Sequence, residues 1–257
     1  MSSSNRSRLD ATQPEIIRTE VIRPNGIQAV LFDLDGTLRH NRPASEAVFC
    51  DFAVRLGLED SPAKRLEVMR WSHYYWAQSQ ELLADVGAFQ EEDPFWRNYS
   101  YRKLMVFGCR EEQADALASD IHQLMKTEHK PADWVPDDVP QTLQALKEAG
   151  FRLGVLSNRT LPCQEYLQTL GLADYFDLAL VAGEVACWKP EPQIFQHALE
   201  RLDVTAEQSL YVGDNYYADI VGARRAGLHP VLLDPLGVFP EAGCPVIHTI
   251  GELKIAY

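Results

Sequence analysis

The 257-residue sequence has no apolar run approaching the roughly 20 residues that cross a bilayer, which excludes a membrane span. It has no C-x-x-C pair and no H-E-x-x-H pattern, which disfavours a zinc hydrolase. Its five cysteines, Cys50, Cys109, Cys163, Cys187 and Cys244, form an odd and scattered set that fits reduced thiols better than a disulfide framework. Positive charge is also scarce. The 24 Lys and Arg against 37 Asp and Glu leave a formal charge of −13 with no basic patch, a field that repels nucleic acid and anionic lipid. The opening MSSSNRSRLDATQPE lacks the apolar core of a secretory signal, so residues 1–26 read as a polar, flexible arm and a cytoplasmic location is expected. Asn-x-Ser/Thr sequons occur at Asn5, Asn98 and Asn158, but they act only in a secreted chain.

What is present is a folded composition, 46% hydrophobic and 24% charged, long enough for a core plus an inserted smaller domain. From Pro136 onward helix-like and strand-like stretches alternate. Helices are predicted over 137–149, 162–170, 191–202 and 217–226, and short, continuously apolar strands over 151–156, 178–182, 209–212 and 230–233. Repeated units of this kind predict an α/β fold, a Rossmann-like parallel sheet with helices on both faces, and the early apolar run 27–32 must join it. Between them, residues 41–134 are rich in aromatics and carry no strand signal, which predicts an inserted α-helical cap domain. The predicted division is a core of 27–40 and 135–257 and a cap of 41–134. The cap aromatics, such as Trp71, Tyr75, Trp76, Trp96 and Tyr99, are expected mainly as the core of a small bundle, and Arg70, Arg97, Arg102 and Lys103 as solvated charges.

Ligands of a doubly wound sheet bind beyond the carboxyl ends of its strands. Four predicted strand ends carry polar groups: Asp33-Leu34-Asp35-Gly36-Thr37, Ser157-Asn158, the loop with Lys189, and Gly213-Asp214 with Asp219 five residues on. Crowded carboxylates repel one another, and a hard divalent cation with oxygen ligands relieves this most directly; Mg²⁺ is the expected ion. Such a site binds phosphate oxygens. One Asp could then act as nucleophile and the other as acid and base.

These residues resemble the haloacid dehalogenase (HAD) superfamily, and among its members the phosphoglycolate phosphatase-like subfamily with a helical cap inserted after the first motif. DLDGTL at 33–38, Ser157 in LSN, Lys189 in WKPEP and GDNYYAD at 213–219 resemble its four motifs in order. The resemblance implies a Mg²⁺-dependent phosphomonoester hydrolase acting on a small phosphorylated metabolite. Asp33 would be the nucleophile and Asp35 the acid and base. Gly36, Thr37, Ser157, Asn158 and Lys189 would form the phosphate site. The metal would be held by Asp33, the backbone carbonyl of Asp35, Asp214 and Asp219, with Asp219 supporting either the metal shell or Lys189. A phosphomutase shares every core motif, and a non-catalytic binding protein could keep the fold; both remain open here, as do the substrate and the oligomeric state.

Overall fold

The computed structural model describes residues 26–255, so the predicted arm, Gly26 apart, lies outside the described residues. The chain enters as strand β1 (Ala29–Phe32), whose four residues are all buried. Alternate side chains face opposite layers: Val30 and Phe32 join one apolar cluster, Ala29 and Leu31 the other. A strand buried on both faces has no polar positions, which is why this run reads as continuously apolar.

Residues His40–Arg42 form β2, and five helices follow: α1 (Ser45–Arg55), α2 (Pro62–Trp76), α3 (Gln80–Ala88), α4 (Glu92–Val106) and α5 (Glu111–Thr127). Two of their starts are set locally. Ser61 and Ser79 accept from the backbone N–H of Lys64 and Leu82, with Pro62 in the first turn of α2. These helices enclose their own core around Phe49, Val68, Leu104, Phe107 and Ile121.

The chain returns through β3 (Ala132–Trp134), antiparallel to β2, with the Arg42 guanidinium 4.1 Å over the Trp134 ring. The sequence reading placed no strand in 41–134, so this ribbon is a correction. Its strands are three residues each, too short to show alternation.

The remaining chain supplies α6 (Asp138–Glu148), β4 (Arg152–Ser157), α7 (Gln164–Thr169), β5 (Leu178–Val181), the single turn α8 (Ala182–Val185), α9 (Pro192–Leu202) and β6 (Ser209–Gly213). One turn of π-helix (Tyr216–Ile220) leads into α10 (Val221–Arg225), followed by β7 (His229–Leu233) and a short β8 (Val246–Ile247) that the sequence reading did not anticipate. All six core strands are parallel, in the order β5-β4-β1-β6-β7-β8. The fold is α/β, with helices on both faces. β1, first in the chain, lies between β4 and β6, so the strand ends carrying Asp33, Ser157 and Gly213 are neighbours.

The helical insertion rests on the core through α2. Arg70 donates to the Val238 carbonyl at 2.7 Å, Asn215 donates to the His73 carbonyl at 2.9 Å, and the Tyr74 and Tyr217 rings meet edge to face at 5.7 Å. Leu31, fully buried at the centre of the sheet, measures the strength of the core. Leu31→Ala is expected to destabilise the protein by about 2–5 kcal/mol, read as a lower urea midpoint at unchanged slope.

Candidate active site

Asp33 follows β1 directly, and its N–H donates to the Val212 carbonyl at 2.9 Å, extending the strand pairing to the first carboxylate. Its Oδ1 accepts from the Lys189 ammonium at 2.6 Å. The same ammonium donates to Asp219 at 2.7 Å and to the Tyr211 hydroxyl at 2.9 Å, so all three of its N–H groups are used. Asp219 is fully buried, and its second oxygen accepts from the Asn215 N–H at 2.9 Å. Of the two roles left open for Asp219, support of Lys189 is the one its contacts describe. Tyr211, which the sequence reading did not single out, donates its hydroxyl hydrogen bond to the Leu156 carbonyl at 3.0 Å. As an interior strand residue it carries no motif signal.

Asp214 is placed by two tight contacts. The Thr37 hydroxyl donates to its carboxylate at 3.1 Å and accepts from its N–H at 3.0 Å. Gly36 has φ +93°, and a Cβ there would overlap the Asp214 carboxylate; a Cβ on Gly213 would overlap that of Asp219. Thr37, expected as a phosphate ligand, therefore acts on Asp214. Asn158, expected in the same role, is likewise committed elsewhere: its amide accepts from the Lys189 N–H at 2.7 Å and donates to the Lys189 carbonyl at 2.9 Å. The partner of each short polar side chain is remote in sequence. Ser157 is buried at the end of β4, with its Oγ accepting from the Arg159 N–H at 3.3 Å.

Carboxylate oxygens of Asp33, Asp214 and Asp219 lie within 4.8 Å of one another. One ammonium among three carboxylates leaves negative charge in excess. Burial pushes the Asp33 carboxyl up to about 7 despite the opposing pull of Lys189. Burial, with Asp33 and Asp219 adding to it, drives Asp214 well above the carboxylate range. Lys189 would be lowered by its burial, but Asp219 and Asp33 outweigh this and hold it charged. The donor set fits a hard divalent cation: all oxygen, and with no Lys or Arg within ion-pair distance of Asp214 among the described residues.

The side chain of Asp35 is outside this trio. Arg159 grips it through two hydrogen bonds of 2.6 and 2.7 Å, and Arg39 stands 3.2 Å away. The Arg159 guanidinium lies 4.2 Å over the Tyr166 ring, whose hydroxyl accepts from Arg39 at 2.6 Å. Sequence reasoning missed Arg159; its position two residues after Ser157 was the available signal. Of the metal ligands expected, Asp35 could contribute only its backbone carbonyl.

Above these groups a cavity of about 900 Å³ reaches up between the helices of the insertion. Met69, Ser72, His73 and Trp76 face it from α2, and Trp96, Tyr99, Ser100 and Lys103 from α4, each set spaced i, i+3, i+4, i+7. The aromatics are thus divided: Tyr75 and Tyr99 pack as core, whereas Trp76 and Trp96 remain over a third exposed. Arg97 and Arg102 are partly exposed ion-pair partners, but Lys103 is only 2% exposed, contrary to the solvated position expected for it. A helix with a polar inner face shows no apolar stripe in its sequence, so its buried side is hidden there.

The sequence pattern of haloacid dehalogenase-like hydrolases matches residues 27–227. A ribulose-1,5-bisphosphate 5-phosphatase of Halopiger xanaduensis is 34% identical over 80% of this chain and 84% of its own. A glyceraldehyde 3-phosphate phosphatase of Methanothermobacter thermautotrophicus is 40% identical over 81% and 86%. The crystal structure of a HAD phosphatase from Thermococcus onnurineus superposes with a TM-score of 0.52 at 25% identity, covering 88% of this chain and 96% of that one.

Metal binding at the trio competes with protons on Asp33 and Asp214, whose carboxyls are both raised. Mg²⁺ is therefore expected to raise the melting temperature clearly at pH 8 and progressively less as pH falls through about 7, measured by thermal denaturation with and without the ion.

Proposed function

The chain belongs to the haloacid dehalogenase-like hydrolase family, and on that premise we propose that it is a Mg²⁺-dependent phosphomonoester hydrolase acting on a small phosphorylated metabolite. The observation that carries this reading is the trio Asp33, Asp214 and Asp219, the first and last of them buried, with Lys189 bridging that pair, at the carboxyl end of a parallel sheet and open to a cavity. In an acidic chain, Lys189 supplies the local positive charge that an anionic substrate needs.

In this reading the Asp33 oxygen attacks phosphorus, forming an Asp33–phosphoryl bond as the ester P–O bond breaks. Asp35 gives a proton to the leaving alcohol and then takes one from the water that hydrolyses the aspartyl phosphate, releasing phosphate and restoring Asp33. Asp35 starts bound to Arg159, so this pair must open for the proton to move. Lys189 and Ser157 hold the transferring group, Asn158 fixes the Lys189 backbone, and Thr37 fixes Asp214. Mg²⁺, held by Asp33, Asp214 and the Asp35 backbone carbonyl, would supply Lewis-acid polarisation of the phosphoryl oxygens. We assign residues 27–40 and 135–257 to the catalytic core and 41–134 to a cap over the substrate. The free state of all five cysteines is consistent with a cytoplasmic enzyme.

The test is phosphate release from a panel of sugar phosphates, phosphorylated hydroxy acids, nucleotides and a chromogenic aryl phosphate. Release is expected to need Mg²⁺, to stop with EDTA, and to fall about 1,000-fold or more in Asp33→Asn. No release by folded protein across the panel would overturn the reading. A sugar phosphate isomerised without net phosphate release would point to a mutase instead.

A further inference from the structure

The cavity holds a second buried lysine that the hydrolysis scheme does not use. We propose that Lys103 binds a second anionic group of the substrate, a carboxylate or another phosphate, so that the enzyme prefers phosphate esters carrying an additional anion. The inference rests on the phosphatase reading above.

The two buried lysines differ in what they hold. Lys189 spends every N–H on an acceptor between 2.6 and 2.9 Å. Lys103 is as deeply buried, yet its ammonium has a single, long acceptor contact, Glu46 Oε1 at 3.5 Å. It lies 4.5 Å from the Phe49 ring centroid and 5.1 Å from that of Tyr99. Ring faces and one loose ion pair stabilise the charge but leave the donors unfilled. Burial would lower Lys103, but Tyr99 and Glu46 outweigh it and keep the ammonium charged.

The other strong cations on the cavity wall are engaged. Lys126 makes two 2.8 Å bonds to Asp93, Arg159 is bound to Asp35, and Arg39 sits between Asp35, Asp133 and Tyr166. Lys103 is thus the lining cation with donors to spare. A second atom of the wall also lacks a partner: Nδ1 of His73 is buried without a hydrogen bond. His73 lines the same cavity, and its backbone carbonyl accepts from Asn215, the neighbour of Asp214, at 2.9 Å. A ligand with its phosphate at the carboxylate trio, an anion at Lys103 and a polar atom at His73 would fill both unsatisfied groups.

The experiment compares substrates in pairs on wild type, Lys103→Met and Lys103→Arg: a phosphorylated hydroxy acid against its ester, a sugar bisphosphate against the monophosphate, and both against an aryl phosphate. Wild type is expected to favour the doubly anionic member at least about tenfold in kcat/KM. Lys103→Met should shrink that preference about tenfold, mainly through KM, and Lys103→Arg should restore much of it. The carboxylate and bisphosphate pairs show which anion is read. A wild-type enzyme that hydrolyses the panel without such preference, or a variant that loses all substrates in proportion, overturns the inference and leaves the phosphatase reading standing. Calorimetric titration of Asp33→Asn with the same pairs, with and without Lys103→Met, reads the binding preference independently of turnover; equal affinities there would also overturn it.

Discussion

The ammonium of Lys189 joins Asp33 to Asp219 across two strand ends, and the chemistry of the site depends on this one charge. Three carboxylates within 4.8 Å repel one another, and burial raises Asp33 and Asp214. With Lys189 present, one is paired from behind through Asp219, one is paired at its front through Asp33, and Asp214 is left facing open charge. The acidic groups outnumber the one cation, a donor set that fits a divalent ion. Surrounding groups serve this arrangement: Tyr211 takes the third N–H, and the Asn158 amide fixes the lysine backbone from both sides.

The fold makes the arrangement possible by placing β1 between β4 and β6, so that groups far apart in the chain emerge side by side. Two glycines set how close they come. Gly36 and Gly213 each stand where a side chain would occupy the space of a carboxylate, Asp214 and Asp219 respectively. The sheet therefore fixes the chemistry rigidly, while the wall opposite is built from side chains on α2 and α4.

Much of the core and the chemistry was legible in sequence, because each carboxylate follows an apolar strand and strand ends converge in this class of fold. Asp33, Ser157, Lys189 and Asp214 come together as their positions implied. What was illegible has a common origin in distance along the chain. The contacts of Thr37 with Asp214 and of Asn158 with Lys189 show only once the distant partner is placed beside each. Arg159 was an unremarked neighbour of a motif until Asp35 closed on it. Lys103 looked solvated because a charge on a helix ordinarily faces water, and only the cavity gives α4 a polar interior side. The β2–β3 ribbon was too short to leave a pattern.

The position of β1 also has a consequence in time. Ala29 pairs with Arg152 on one side and with Ser209 on the other, so the central strand is made long before either of its neighbours. At ordinary translation rates of about 5–20 residues per second, Ser209 is made on the order of ten seconds or more after Ala29. Over that interval an entirely apolar strand has no sheet to join, whereas the intervening helices can pair locally as they emerge. The helical insertion is therefore made in full before the neighbours that β1 needs on either side.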